Sequence, residues 1–171
     1  AGAMGQMQFM PSTFRAYAVD GDGDGRIDVW QSLPDAMYSA AHYLQRAGWR
    51  VNEPVAIEVR LPEGFDWRQA RLFHRLPVVA WTAMGVQAAD GSALPEAAGR
   101  AAIVLPQGWQ GPAFMVFDNF DVVMQWNRSV NYALAVAQLA HQLAGGPALI
   151  AGEGETGALS VAQLKALQQA L

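Results

Sequence analysis

The run Asp20-Gly21-Asp22-Gly23-Asp24-Gly25-Arg26-Ile27-Asp28 organises the reading of this 171-residue chain. Three carboxylates at alternate positions repel one another unless a cation neutralises them. Oxygen ligands at positions 1, 3 and 5, glycine at 6 and an apolar residue at 8 match an EF-hand calcium loop. Asp20, Asp22 and Asp24 are the expected side-chain ligands, and Arg26 would give its backbone carbonyl. Asp28 at position 9 would act directly or through water. Position 12 is Gln31, where the standard loop has a bidentate glutamate, so Asp35 is the expected closing carboxylate on a longer loop. Hard oxygen donors suit Ca2+, with Na+ as the alternative. The competing reading is an Asp-Gly turn without metal. A lone loop points to a structural ion and not to a sensor.

Helix signals stand on both sides of this loop. Ser12 is a good N-cap for a helix over Thr13–Ala18. Downstream, Met37, Ala40, Ala41, Leu44 and Ala47 recur at helical spacing from about Asp35, and Gly48 supplies the stop. A metal in the loop would tie these two helices together.

The pattern changes near residue 50. Val55–Leu61 alternates in part and ends at Pro62, as a strand does. Ala101–Leu105, Phe114–Phe117 and Val122–Trp126 are further strand candidates, and 66–85 holds one or two short helices. Residues 51–124 therefore read as a small α/β lobe inserted into a helical core made of 1–50 and 125–145. Residues 129–144 return to helix, apolar at almost every position, so burial on most sides is expected. Gly-rich 146–158 reads as a linker. Ser160-Val-Ala-Gln163 is a capping box that opens a last helical segment, 159–171.

The composition suits a folded domain: 52% hydrophobic, 15% charged, net charge −4. No basic stripe supports a nucleic-acid partner. The absence of cysteine excludes disulfides, thiolate zinc sites and cysteine nucleophiles. The chain opens without an initiator or charged leader and stops inside a helical pattern, so an internal fragment is expected.

The stretch Ala1-Gly-Ala-Met-Gly-Gln-Met-Gln-Phe-Met-Pro-Ser-Thr13 resembles the AGAMGYGQFMPSS segment of the membrane-bound lytic transglycosylase B family. The resemblance runs on through Tyr17-Ala-Val-Asp20, the acidic loop, Ile27-Asp-Val-Trp30, Asp35-Ala36, His42-Tyr43 and Gly48-Trp49. It resumes at Asn119, Trp126-Asn127-Arg-Ser129 and Asn131-Tyr132-Ala133. It implies an α+β, mainly helical fold: a lysozyme-like domain with an EF-hand-like loop and a small inserted mixed β lobe. The 159–171 segment is similar to the start of a peptidoglycan-binding module.

The implied activity is cleavage of the β-1,4 bond between N-acetylmuramic acid and N-acetylglucosamine in peptidoglycan, with a 1,6-anhydromuramoyl product and no cofactor for the chemistry. One glutamate would serve as acid and then base. The resemblance puts it on a helix upstream of Ala1, so no catalytic residue is expected within the chain. Substrate contacts are expected from Gln8, Phe9, Tyr43, Trp126, Asn127 and Tyr132, with Trp126 where the family usually has tyrosine. Gly2 and Gly5 would let the glycan approach the backbone. The periplasm of a Gram-negative bacterium follows as the compartment, with a soluble or lipid-anchored form. The alternative is a non-catalytic peptidoglycan-binding or regulatory protein on the same fold.

Overall fold

The computed structural model describes residues 2–150 and 160–170. These divide into two units. One comprises Ala1–Val55 and Phe117–Ala135, the other Ala56–Val116 and Val136–Leu171.

The first unit is helical. Helix α1 spans Pro11–Tyr17 and α2 spans Leu33–Arg46. The start of α1 differs from expectation: Met10, not Ser12, is its N-cap, and Pro11 fills the first helical position. A preset φ and a missing N–H suit proline there. Helix α2 begins two residues earlier than its apolar pattern suggested. Ser32 Oγ accepts the Asp35 N–H at 3.3 Å and caps it. Ser39, fully buried in α2, accepts the Val19 N–H through Oγ at 2.9 Å, which fixes the chain leaving α1. Gly48, with φ 99°, follows the α2 C-cap Ala47.

Helix α4, Asp118–Trp126, replaces the strand expected at 122–126. Val122 and Val123 suggested β structure, but Asp118 and Asp121 in the first turn favour a helix N-terminus. Phe120 and Val123 then share one buried face three residues apart. The unit boundary accordingly falls at Val116/Phe117 and not at 124. Buried Asn119 locks the chain beside it. Its Oδ1 accepts the Arg50 N–H at 2.8 Å, and its Nδ2 donates to the Arg50 and Glu53 carbonyls at 2.8 and 2.7 Å. Its own N–H donates to the Glu53 carboxylate at 3.1 Å.

The second unit holds a five-stranded antiparallel sheet. Its strands are β1 Ala56–Arg60, β2 Leu76–Pro77, β3 Gln87–Ala88, β4 Arg100–Val104 and β5 Ala113–Val116, in the order β2-β4-β5-β1-β3. Every residue of β5 is buried, and every residue of β4 but Arg100. Both strands read as unbroken apolar runs for that reason. Short helix α3, Val78–Ala83, adds buried Trp81, whose Nε1–H donates to the Ala101 carbonyl at 2.8 Å. One 3-10 turn spans Trp67–Gln69 and another Glu96–Ala98.

Helix α5, Val130–Leu143, forms where expected, but only Ala133 and Leu134 are buried. The expectation of burial on most sides fails because the described residues cover one face. An alanine-leucine helix is apolar all round whatever packs on it. Of the expected 146–158 linker, 151–158 lie outside the described residues. Helix α6, Val161–Ala170, carries the anticipated capping box: the Gln163 N–H donates to Ser160 Oγ at 3.2 Å, and the Ser160 N–H to Gln163 Oε1 at 2.8 Å.

Candidate functional site

Residues 4–9 make a tight turn. Met4 and Phe9 pair through two backbone bonds of 2.7 and 2.9 Å, and the Gln8 N–H donates to the Gly5 carbonyl. Gln8 sits at φ 53°, a left-handed conformation that costs a non-glycine residue about 1–3 kcal/mol. Its side-chain Nε2 bonds the Gly5 carbonyl at 2.9 Å, which helps hold it there. Gly5 is required by its own chain: a Cβ there would lie 2.5 Å from the Val29 carbonyl oxygen. Val29 alone thus accounts for a glycine at this position. The Gln6 N–H also donates to that carbonyl at 2.9 Å, and Gln6 Nε2 to the Trp30 carbonyl at 3.2 Å. The turn that carries Gln8 and Phe9 therefore rests on the chain just past the acidic loop.

Phe9, Tyr43 and Trp126 meet as a cluster of rings. Phe9 lies 6.2 Å from Tyr43 and 5.3 Å from Trp126, and Tyr43 lies 5.0 Å from Trp126 nearly at right angles. Such tilted and edge-on pairs suit the ring quadrupoles. Phe9 is 2% exposed, so it supports its two neighbours and has no open face of its own. Tyr43 and Trp126 are half-buried. Burial, and secondarily Tyr17, pushes the Tyr43 hydroxyl above the ordinary tyrosine range. Asn127, exposed, caps the end of α4, and its side-chain amide makes no hydrogen bond among the described residues. Tyr132, one turn into α5, is 38% exposed and joins no ring contact among the described residues.

Tyr17 was missed as a member of this cluster. Its ring stands 5.0 Å from Tyr43 at 84°. It sits at the last position of α1, where no apolar stripe singles it out. His42, half-buried, lies with Nδ1 3.0 Å from the Tyr17 carbonyl, so one ring nitrogen is taken up by the end of α1.

In the acidic loop, carboxylate oxygens of Asp20, Asp22 and Asp35 lie within 4.8 Å of one another. Asp35 is buried, and its oxygens accept the Gly21 and Asp28 N–H groups at 2.7 and 2.6 Å. Those bonds, the Asp28 amide first, hold its pKa below the usual carboxylate range. Asp20 accepts from Gly23 and Gly25, and Asp22 accepts the Ser32 hydroxyl at 2.8 Å. Asp24 and Asp28 stand outside the three-carboxylate group. Asp24 bonds the Arg26 N–H, while Asp28 closes a turn onto the Trp30 and Gln31 N–H groups at 3.0 and 2.9 Å. Local backbone amides compete for these short side chains. Gly21 packs so closely on Pro34 that a Cβ would lie 2.6 Å from its carbonyl oxygen, which seats the loop on the start of α2. Three carboxylates in so small a space, with no cationic side chain paired to them among the described residues, fit a hard cation.

Residues 1–141 match the family described as the transglycosylase SLT domain, and the chain belongs to that family. The membrane-bound lytic murein transglycosylase B of Escherichia coli (strain K12) is 32% identical over 149 residues, 84% of this chain and 38% of that protein. The crystal structure of SltB3 from Pseudomonas aeruginosa in complex with NAG-NAM-pentapeptide is 45% identical. It matches with a TM-score of 0.89 over 99% of this chain and 46% of that one. The structure of the Escherichia coli lytic transglycosylase Slt35 in complex with calcium is 31% identical, with a TM-score of 0.66 over 84% of this chain and 45% of that one. The chain thus spans less than half the length of each. These likenesses give it the lysozyme-like fold of the family, of mixed α+β content.

Proposed function

We propose that this chain provides the substrate groove of a peptidoglycan lytic transglycosylase. The reaction is cleavage of the β-1,4 bond between N-acetylmuramic acid and N-acetylglucosamine, leaving a 1,6-anhydromuramoyl end. The ring cluster carries the reading. Tyr43 and Trp126, braced by Phe9 from below, offer stacking surface, with the Gln8 and Asn127 amides nearby in sequence to bond acetamido or hydroxyl groups. Tyr132 extends the same unit.

The acid–base glutamate is proposed to come from a segment outside residues 1–171. Glu53 is taken up by Asn119 and Arg50, and Glu58 lies on β1 with a bond to the Ile150 N–H. In the proposed step that outside glutamate protonates the leaving glycosidic oxygen. It then takes the proton from the muramoyl 6-hydroxyl as that oxygen closes on C1, so no water is consumed. An apolar, partly closed pocket would keep such an acid protonated at neutral pH.

Asp20, Asp22 and Asp35 would hold a structural Ca2+ or Na+, with Asp24, the Arg26 carbonyl and Asp28 as further donors. The ion would neutralise the carboxylates and stiffen the loop whose far end supports the Gln8 turn. Among the described residues no helix is long and apolar enough to cross a membrane. A cell-wall substrate suits the periplasm, with the protein soluble or lipid-anchored. The proposed partners are glycan strands of peptidoglycan, with catalytic helices before this chain and a peptidoglycan-binding module that 159–171 begins.

Trp126→Ala and Asn127→Ala in the full-length protein test the groove by the rate at which purified sacculi are solubilised. Each is expected to lower kcat/KM about tenfold or more, equivalent to roughly 1.4 kcal/mol. Unchanged rates in both would remove the groove from the reaction.

A further inference from the structure

The second unit carries an aromatic feature unrelated to the ring cluster. Trp67 and Trp109 are 43% and 65% exposed, with ring centroids 6.2 Å apart and planes tilted by 54°. Exposed indoles in contact leave a large apolar area in water, which marks a recognition surface more often than chance.

The Trp67 indole is supported from behind, and Trp109 is carried on a hydrogen-bonded turn. Trp67 opens a 3-10 turn that Asp66 caps, and the Asp66 carboxylate grips the Arg68 guanidinium through contacts of 2.8 and 3.2 Å. Phe65, buried, stands edge-on to Trp67 at 5.5 Å and touches fully buried Trp81 at 6.3 Å. The support therefore runs from the sheet core to the surface ring. Trp109 rides on a separate turn, closed by Gly108 N–H to Leu105 O and Gly111 N–H to Gly108 O at 3.2 Å each. Gly108 at φ 78° permits that turn, and Gly111 packs on Gln107. Two rings presented on braced turns lose little entropy on binding.

We propose that Trp67 and Trp109 form a stacking platform for an N-acetylated glycan strand, a second glycan-binding site carried by the sheet unit. The platform suits sugars better than a protein. A stable protein interface buries about 800 Å² per partner around an apolar centre, whereas two indoles supply a small fraction of that. Their immediate sequence neighbours are Asp66, Arg68, Gly108 and Gln110, polar groups or bare backbone and not an apolar rim. A sugar ring presents an apolar C–H face for stacking and a hydroxyl rim for those polar neighbours. The proposal rests on the peptidoglycan reading of the groove, and its test reads binding while the groove variants above read cleavage, so the two fail separately.

The test uses the full-length protein and purified sacculi in a pelleting assay. It compares Trp67→Ala and Trp109→Ala with Trp109→Phe, which keeps a ring, and with Phe73→Ala, a 93% exposed aromatic outside the pair. The alanine variants are expected to bind sacculi about tenfold more weakly, the size of one interface anchor. Trp109→Phe should keep most of the affinity and Phe73→Ala all of it. Wild-type affinity in both alanine variants overturns the platform, as does an equal loss in Phe73→Ala. A dimer in sedimentation velocity that Trp109→Ala dissolves, with sacculus binding unchanged, also overturns it in favour of self-association. A second measurement uses a Trp126→Phe background, so that the groove indole does not report: N-acetylglucosamine tetramer should shield the remaining tryptophan fluorescence from acrylamide, and no shielding at saturating tetramer counts against the proposal.

Discussion

Each unit is stabilised internally by a different chemistry. In the sheet unit the core is Val59, Val78, Trp81, Ile103, Met115 and Val116, all buried and, apart from the Trp81 indole N–H, without polar atoms in the side chains. Among the described residues of the helical unit three polar ones are buried, Asp35, Ser39 and Asn119, and each bonds backbone of another segment. Apolar burial is indifferent to register by an atom or two of hydroxyl or amide. A buried carboxylate or carboxamide tolerates one arrangement, since any unmet partner costs about 1–3 kcal/mol. The buried geometry of the unit with the candidate groove therefore rests on an ionised carboxylate and, on the proposed reading, an ion, whereas the carboxyls held below the ordinary range in the sheet unit, Asp66 beside Arg68 and Asp90 beside Ser92, lie outside its apolar core.

The largest expected effect breaks that contrast at Asn119. Asn119→Ala strands the Arg50 N–H and the Arg50 and Glu53 carbonyls, at a cost of about 3 kcal/mol or more in chemical unfolding. Hydrogen exchange should rise in 2–55 before 56–116. A cost below about 1 kcal/mol would mean that these bonds are replaced by water at no loss.

Next is the ion. Ca2+ at a hundred times its dissociation constant should stabilise the protein by about 2.7 kcal/mol over EDTA. Slowed exchange should extend from 20–35 to residues 4–9 through the Val29 and Trp30 contacts, and leave β4 and β5 unchanged. Identical melting in EDTA and Ca2+ would remove Ca2+ from the loop.

The smallest is the response to acid. The folded pKa of Asp35 lies below its unfolded value, so its carboxylate bonds stabilise fully above the unfolded value of about 3.9 and are lost as pH falls through the folded one. Asp35→Asn should flatten that acid limb in a pH series of denaturant midpoints, again without touching exchange in the sheet. A variant that keeps the wild-type acid limb would assign it to other carboxylates.

Much of the fold was legible because its elements are marked by an apolar stripe, an unbroken apolar run or a cap. The α2 stripe, β1, β4, β5 and the Ser160–Gln163 box follow from period or cap chemistry. Helix α4 was not, since Val122-Val123 favours β structure locally while Phe120 and Val123 pack on a helical face that needs the rest of the unit to exist. The candidate site divides in the same way. Asp20, Asp22 and Asp35 were readable from charge and spacing. That Asp24 and Asp28 turn to backbone amides depends on loop dihedrals that spacing does not encode. Phe9 as a support and Tyr17 as a neighbour are outcomes of packing between segments far apart in sequence.

The most direct test of the groove's chemistry is the product. Sacculi digested with the full-length protein and analysed by mass spectrometry should release muropeptides with 1,6-anhydromuramoyl ends, lighter by one water than reducing ends. Trp126→Ala should give the same products more slowly. Hydrated reducing ends as the main product would contradict the transglycosylase reading.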